Sequence, residues 1–173
     1  MTEPDIVDKR IADWVGSLPG LDLEVEGIVE RIQHLEKRIR KMLDDTLAEF
    51  GLNVGEWAVL GSLRRAGDPY RRSPGQLAKS FGLTTGAMTN RLDKLEAAEL
   101  IRRLPDPDDR RGVIVELLPE GREVWERAVG AQSAKEQFVA SGLNERERKQ
   151  LNSLLRRMVH AAERESEPAA TLG

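Results

Sequence analysis

Two long stretches of the chain carry apolar residues at spacings of three and four, which is the pattern of an amphipathic helix. The first covers residues 22–50. The second follows Leu143, where Asn144 and Glu147 have the spacing of a capping box at a helix start. Its apolar positions are Leu151, Leu154, Leu155, Met158 and Val159. The first stripe is too long to be covered by a small domain, so we expect both ends of the chain to pack together and against a partner chain.

Residues 73–98 predict two short helices joined by a tight turn. Ser73 is a suitable N-cap for a helix over residues 74–81, Pro74 suits its first position, and Gly82 ends it. Thr84 can cap a second helix that runs to about residue 98. The apolar stripe of this second helix consists of Met88, Leu92 and Leu95. Each helix therefore has an apolar side that the other can cover.

Two short β-type runs, residues 100–104 and 113–117, follow directly and are separated by the turn-forming sequence PDPDDRRG. They predict an antiparallel hairpin, or wing. Helix, turn, helix and wing in this order are typical of a winged helix-turn-helix, a DNA-binding module. We therefore expect a mainly α fold with a small β-hairpin wing and helical regions for dimerisation at both ends of the chain.

The second short helix presents small and hydrogen-bonding residues opposite its apolar stripe. Gly86 and Ala87 let another surface approach the backbone closely, and Asn90 can pair with an adenine edge in a major groove. Thr89 can donate to a phosphate or touch a thymine methyl group. An ordinary solvated face is the alternative, although such faces usually carry Glu and Lys.

The wing tip carries Arg110 and Arg111, and arginines on a narrow projection can enter a minor groove. Asp108 and Asp109 either brace these arginines by ion pairing or cap the turn. A plain surface hairpin with mixed charge is the alternative for the tip alone. The full set of predicted DNA contacts is Arg72, Ser73, Thr84, Thr85, Gly86, Ala87, Thr89, Asn90, Lys94, Arg110 and Arg111.

Charge supports this location for DNA binding. The chain has 173 residues and a net charge of −3, yet residues 64–111 carry +4 and the remainder −7. The basic residues that precede or lie within the first short helix can follow a phosphate backbone. We assign residues 1–55 to N-terminal helices for dimerisation and a ligand pocket, 56–120 to the winged region, 121–165 to C-terminal dimerisation helices and 166–173 to a disordered tail.

The run MTNRLDKLEAAELIRRLPDPDDRRGVIVELLPEG resembles the core of the MarR family of bacterial transcription regulators. The matching features are the N-R-L-x-x-L-E body of the second short helix, the D-x-x-D-R-R pattern of the wing, and Gly121 after the returning strand. Leu118 departs from the family, which commonly has a capping threonine there. The resemblance implies a homodimeric, ligand-responsive repressor that binds a palindromic operator in double-stranded DNA.

Residues 5–17 predict a further short helix, with Ile6, Ile11, Trp14 and Val15 as its apolar members. An added N-terminal helix of this kind resembles the urate-responsive subgroup of the family. Carried over by position, the subgroup's ligand-binding residues are Trp14, Arg91 and Arg103. The resemblance therefore implies a small planar anionic effector. Ala58 stands where the subgroup has an aspartate. Arg91 points away from the DNA-facing side and needs an anion, and either Glu96, another protein carboxylate or a ligand can supply it.

Composition disfavours other functions. The chain has no cysteine, which excludes disulfides, thiolate catalysis and thiol-based redox sensing. The two histidines, His34 and His160, have no second ligand nearby in sequence, and no glycine-rich phosphate-binding motif occurs, so we expect neither an enzyme nor a cofactor. No apolar run is long enough to span a membrane, and we expect a cytoplasmic protein. A helical protein-interaction adaptor without effector response is the competing function.

Overall fold

The computed structural model describes residues 3–14, 20–107, 109 and 112–166. Within these residues the chain forms seven helices and one small sheet. The helices are α1 (Ile6–Ala12), α2 (Leu23–Ala48), α3 (Val54–Arg65), α4 (Pro74–Ser80), α5 (Thr85–Ala97), α6 (Pro119–Val139) and α7 (Glu145–Ser166). The strands are β1 (Arg71–Arg72), β2 (Ile101–Pro105) and β3 (Val113–Leu117), in the antiparallel order β1-β3-β2. The predicted fold class is confirmed.

Some residues of the sequence-based predictions lie outside the described part of the chain. They are Val15, Asp108, Arg110, Arg111 and the tail after residue 166.

The chain divides into two compact units, one ending at Gln132 and the other beginning at Ser133. The first unit contains the hydrophobic core, to which α3, α4, α5 and the sheet contribute. All three residues of the predicted α5 stripe are at most 1% exposed. They share the core with Leu60, Leu63, Leu77, Ile101 and Val115. Removal of this apolar surface from water fixes which side of α5 faces inward.

Side-chain caps set the ends of the two short helices. The Ser73 hydroxyl accepts a hydrogen bond from the Gln76 N–H at 3.2 Å, and the Thr84 hydroxyl accepts one from the Ala87 N–H at 3.3 Å. Gly82 adopts a φ of +61°, a left-handed conformation that suits glycine and ends α4. The observed bounds of α4 and α5 differ from the predicted ones by one residue at most.

The sheet differs from the predicted hairpin by one additional strand. β2 begins one residue later than expected, whereas β3 has the expected bounds. The two-residue β1 was not predicted, because two residues show no alternation. It pairs with β3 so that Arg71 and Arg102 lie on opposite sides of Glu116. Glu116 accepts hydrogen bonds from both arginines, at 3.2 Å from Arg71 and 2.5 Å from Arg102. These bonds, first that from Arg102, lower the pKa of Glu116 although partial burial opposes the shift.

Helix α1 packs against α2 on a face that the sequence predicted only in part. Ile11, one of the predicted apolar residues, is partly buried, and its Cδ1 lies 3.5 Å from a Cβ built at Gly27 of α2. Val7 is buried, whereas Ile6 is 56% exposed, so the prediction of Ile6 as a packing residue is wrong. The helix is fixed by its N-terminal end, where Arg31 of α2 pairs with Asp5 and Asp8. The Asp8 N–H and the Arg31 guanidinium lower the pKa of Asp5 to about 2. The ionic contact holds the N-terminal end of α1 on α2, beside the buried Val7.

The two long helices leave much apolar surface uncovered. The exposed residues of α2 include Val25, Ile28, Ile32, Leu35 and Ile39, and only its C-terminal end enters the core, at Leu47. Helix α7, in the second unit, begins at the predicted capping box, in which Asn144 and Glu147 exchange hydrogen bonds. Its apolar stripe is exposed from Leu151 to Val159. Among the described residues, no helix has the length and apolar character needed to cross a membrane.

Replacement of Gly121 with alanine is expected to destabilise the protein. A Cβ there would lie 2.1 Å from the carbonyl oxygen of Leu100, a backbone atom that cannot move aside cheaply. We expect the free energy of unfolding to fall by about 1–3 kcal/mol, measured by urea denaturation at fixed protein concentration. Gly130→Ala in the same helix is the control, because nothing lies within 4 Å of its Cβ. This control should gain about 0.5–1 kcal/mol. Equal stability of the two variants would contradict the assignment.

Glu116→Gln should destabilise the protein in a pH-dependent way. The folded-state pKa of Glu116 lies below its ordinary 4.5, so the ionised form stabilises the fold above that pH. This contribution, about 1 kcal/mol at neutral pH because both arginines are partly exposed, disappears as the pH falls through the folded-state pKa. Urea denaturation should therefore show that the difference in free energy of unfolding between wild type and Glu116→Gln becomes smaller from neutral to acidic pH. Glu123→Gln, at an exposed site without a described ion pair, should show no such gap.

Candidate nucleic-acid interface

The structure exposes the side of α5 that the sequence assigned to DNA. Its exposed residues are Thr85, Gly86, Ala87, Thr89, Asn90 and Lys94. Nothing lies within 4 Å of a Cβ built at Gly86, so internal packing does not require glycine there. The Asn90 amide makes no hydrogen bond to any described residue and is free for an external partner. Another molecule can therefore approach the backbone of the first turns of α5.

Some of the predicted contact residues already have internal roles. The hydroxyls of Ser73 and Thr84 cap α4 and α5, and the Thr89 hydroxyl donates to the Thr85 carbonyl at 2.9 Å. Arg72 is half-buried and its Nε donates to the Ser62 carbonyl at 3.2 Å. These residues position the two helices, and any contact that they make with DNA must use their remaining donors.

Lys94, near the C-terminal end of the exposed face, has a partner within the protein. Its Nζ lies 3.9 Å from Oε1 of Glu56, whose side chain is 8% exposed, while the lysine itself is 72% exposed. The separation is that of a loose ion pair, and exposed charges interact weakly in water. Lys94 therefore remains able to turn towards another anion.

Arg103 of β2 joins the wing to α5. Its guanidinium forms ion pairs with Glu96 and with Asp93, the latter at 2.7 Å, and its backbone N–H donates to Glu96 at 2.9 Å. Partial burial by itself would lower the pKa of Arg103. The hydrogen bonds and charges of Asp93 and Glu96 outweigh this effect, so the pKa is raised above its ordinary value. The guanidinium is thus held in its charged form, and the strand is fixed against the C-terminal half of α5.

The base of the wing tip is closed by backbone hydrogen bonds. Asp106 N–H donates to the Gly112 carbonyl at 3.0 Å, and Gly112 N–H donates to the Asp109 carbonyl at 2.8 Å. A Cβ at Gly112 would lie 2.8 Å from that of Asp106, so the close crossing favours glycine. Asp109 is exposed. The contacts of Asp108, Arg110 and Arg111 fall outside the described residues and stay predictions.

Arg91 lies against the first turn of α3. A Cβ at Gly55 would be 2.6 Å from Arg91 Cζ, so only glycine allows the guanidinium this position. Arg91 forms no hydrogen bond or ion pair with any described residue, and Glu96 is paired with Arg103 instead. The alternative in which Glu96 supplies the anion for Arg91 is therefore wrong. Trp14 is partly exposed after the end of α1, and the described residues place no ring contact or side-chain hydrogen bond on it.

Two features of this region were not predicted from the sequence. The first is the pair of ion pairs between Arg103 and α5, although Asp93 and Glu96 have the i, i+3 spacing that places both on one side of a helix. The second is helix α3. Asn53 and Glu56 form a capping box at its start, the same signal that identified α7.

Comparisons with known proteins agree with this architecture. The model of the MarR family matches residues 50–112. The HTH-type transcriptional regulator PecS of Dickeya dadantii is 32% identical over 152 residues, which cover 88% of this chain and 92% of PecS. The multiple antibiotic resistance protein MarR of Salmonella typhimurium is 36% identical over 87 residues, covering 50% of this chain and 58% of that protein.

Solved structures give the same result. The crystal structure of apo MarR from E. coli has a TM-score of 0.64 at 27% identity, covering 75% of this chain and 93% of that one. A mutant MarR from E. coli complexed with operator DNA has a TM-score of 0.59 at 26% identity, covering 78% and 95%. The chain thus belongs to the MarR family of winged-helix transcriptional regulators, which are DNA-binding proteins and not enzymes.

Proposed function

We propose that this protein is a sequence-specific regulator that binds a palindromic operator as a homodimer and represses transcription until an effector releases it. The exposed face of α5 is the observation that carries the proposal. Its residues are small or uncharged near the helix start, and the free amide of Asn90 lies between them and Lys94. Such a face suits close insertion into a major groove, where base edges offer a distinct hydrogen-bonding pattern.

The remaining predicted contacts serve affinity more than specificity. The starts of α4 and α5, at Ser73 and Thr84, are proposed to contact phosphates through backbone N–H groups that the caps leave unused. Arg110 and Arg111 at the wing tip are proposed to enter the adjacent minor groove. Because Arg103 fixes β2 to α5, the wing and α5 approach DNA together.

The exposed apolar stripes of α2 and α7 support a homodimer. An apolar stripe of this length on a single helix is rarely left in water, and it usually marks a protein–protein interface. A two-fold dimer repeats the α5 face, and recognition helices that are about 34 Å apart reach successive major grooves on one side of the duplex. The operator would accordingly contain two inverted half-sites. The cytoplasmic location expected from the sequence agrees with this role.

An effector site at Arg91 is the proposed means of release. The guanidinium lies at the positive end of α3 without a described anionic partner, which favours occupation by a planar anion. Trp14 would stack on such a ligand. Arg103 can take part only by exchanging one of its two carboxylates for the ligand. The ligand must bind the DNA-free arrangement more tightly, because only a difference in affinity shifts the equilibrium.

Asn90→Ala should weaken operator binding. Selection from a random pool of duplexes should enrich an inverted repeat, and the variant should bind that repeat at least about tenfold more weakly, because a bidentate base contact is lost. Fluorescence anisotropy at fixed salt measures both affinities. Gln137→Ala removes an exposed amide of α6, outside the α5 face and the apolar stripes of α2 and α7, and should leave binding unchanged. Failure to enrich any sequence would favour the adaptor function, and equal binding by Asn90→Ala would remove Asn90 from the interface.

Trp14→Ala should abolish effector response while operator affinity remains nearly intact. Urate and salicylate serve as planar anionic probes, and salicylamide serves as an uncharged control. We expect at least one of the two acids to release wild-type protein from the selected operator, with no release by salicylamide. The same anisotropy assay measures release. Unchanged release from Trp14→Ala would place the effector elsewhere, and release by neither acid would contradict the proposed planar-anion response.

A further inference from the structure

A partly open cleft of about 300 Å³ lies between the start of α3 and the C-terminal half of α5. It is lined by Gly51, Leu52, Asn53, Glu56, Lys94, Leu95, Ala98 and Leu100. Its volume is at the lower end of the range for small-molecule sites, which is roughly 300–1,000 Å³. Three leucines form its apolar part, and each is at most 6% exposed.

Glu56 provides a buried charge in the wall of this cleft. Its side chain is more than nine-tenths buried. Oε2 accepts the Asn53 N–H at 2.9 Å and so completes the cap of α3. Oε1 accepts no hydrogen bond from any described residue, and its nearest cation is Lys94 Nζ at 3.9 Å. Because Glu56 lines the cleft and this oxygen has no hydrogen-bond donor among the described residues, it is available to an external donor.

The charge balance of the cleft restricts what can enter it. Glu56 and Lys94 form a neutral pair, and a purely cationic ligand would be repelled by the lysine. A purely anionic ligand would meet the buried carboxylate. A zwitterion satisfies both groups at once, with an ammonium on Oε1 and a carboxylate on the mobile lysine. The leucines then favour an apolar substituent.

We propose that the cleft between α3 and α5 binds a small zwitterion with an apolar side group, such as a hydrophobic α-amino acid. This site is separate from the proposed effector site, because Arg91 does not line the cleft. Lys94 and Leu95 belong to α5, so a bound molecule contacts this helix directly. The binding does not depend on the proposed DNA-binding function and can be measured without DNA.

Isothermal titration with L-leucine and L-phenylalanine tests the proposal. Wild-type protein should give saturable binding of at least one of them, in the millimolar range or tighter. Glu56→Gln should weaken that binding by about tenfold or more, because a charge-assisted hydrogen bond becomes a neutral one. Glutamine can keep the cap of α3, and urea denaturation verifies that the variant is folded. Glu147→Gln makes the same change at the equivalent capping position of α7 and should bind like wild type.

Two analogues separate the charges of the ligand. Phenethylammonium lacks the carboxylate, 3-phenylpropionate lacks the ammonium, and each should bind more weakly than L-phenylalanine. Absence of saturable binding of both amino acids to the wild type would overturn the proposal. Equal binding by Glu56→Gln, or by either single-charge analogue, would overturn it as well.

Discussion

The burial of one side of α5 is the constraint on which the rest of the interface depends. Met88, Leu92 and Leu95 are at most 1% exposed, and rotating the helix would bring all three into water. Each buried aliphatic side chain of this kind contributes about 1.5–3 kcal/mol relative to exposure. The rotation of the helix is therefore fixed, and the opposite face, with Gly86 and Asn90, is held outward without any contact of its own.

Ionic contacts then determine what moves with α5. Arg103 attaches β2 to the helix through Asp93 and Glu96, and β2 pairs with β3 along its whole length. Glu116 extends this connection to β1 through two arginines. Helix α5 and the described strands of the wing are thus joined into one unit. An effector that changes the support of α5 would accordingly change the position of the wing as well.

Local signals in the sequence were sufficient where one side chain sets the structure. The caps at Ser73, Thr84 and Asn144 placed three helix starts, because each cap requires only residues within its own turn. Contacts between distant segments were not accessible in this way. Strand β1 forms because β3 offers it an edge, and α1 is held by contacts with α2 that include Arg31, a residue far along the chain. Of the three anions that the sequence allowed for Arg91, the structure removes Glu96, which is paired with Arg103.

Glycines show how packing and function can be separated in this protein. At Gly121, a Cβ would collide with the backbone carbonyl of Leu100, so an internal contact explains the absence of a side chain. At Gly55, a Cβ would only displace the flexible end of Arg91. At Gly86, in the first turn of α5, a Cβ would meet nothing within 4 Å, so packing among the described residues does not require glycine there. The same is true of Gly130, so open space by itself assigns no function to a glycine. Gly86 differs in its place beside Asn90 on the exposed face of α5, where the missing side chain lets another surface approach the backbone closely.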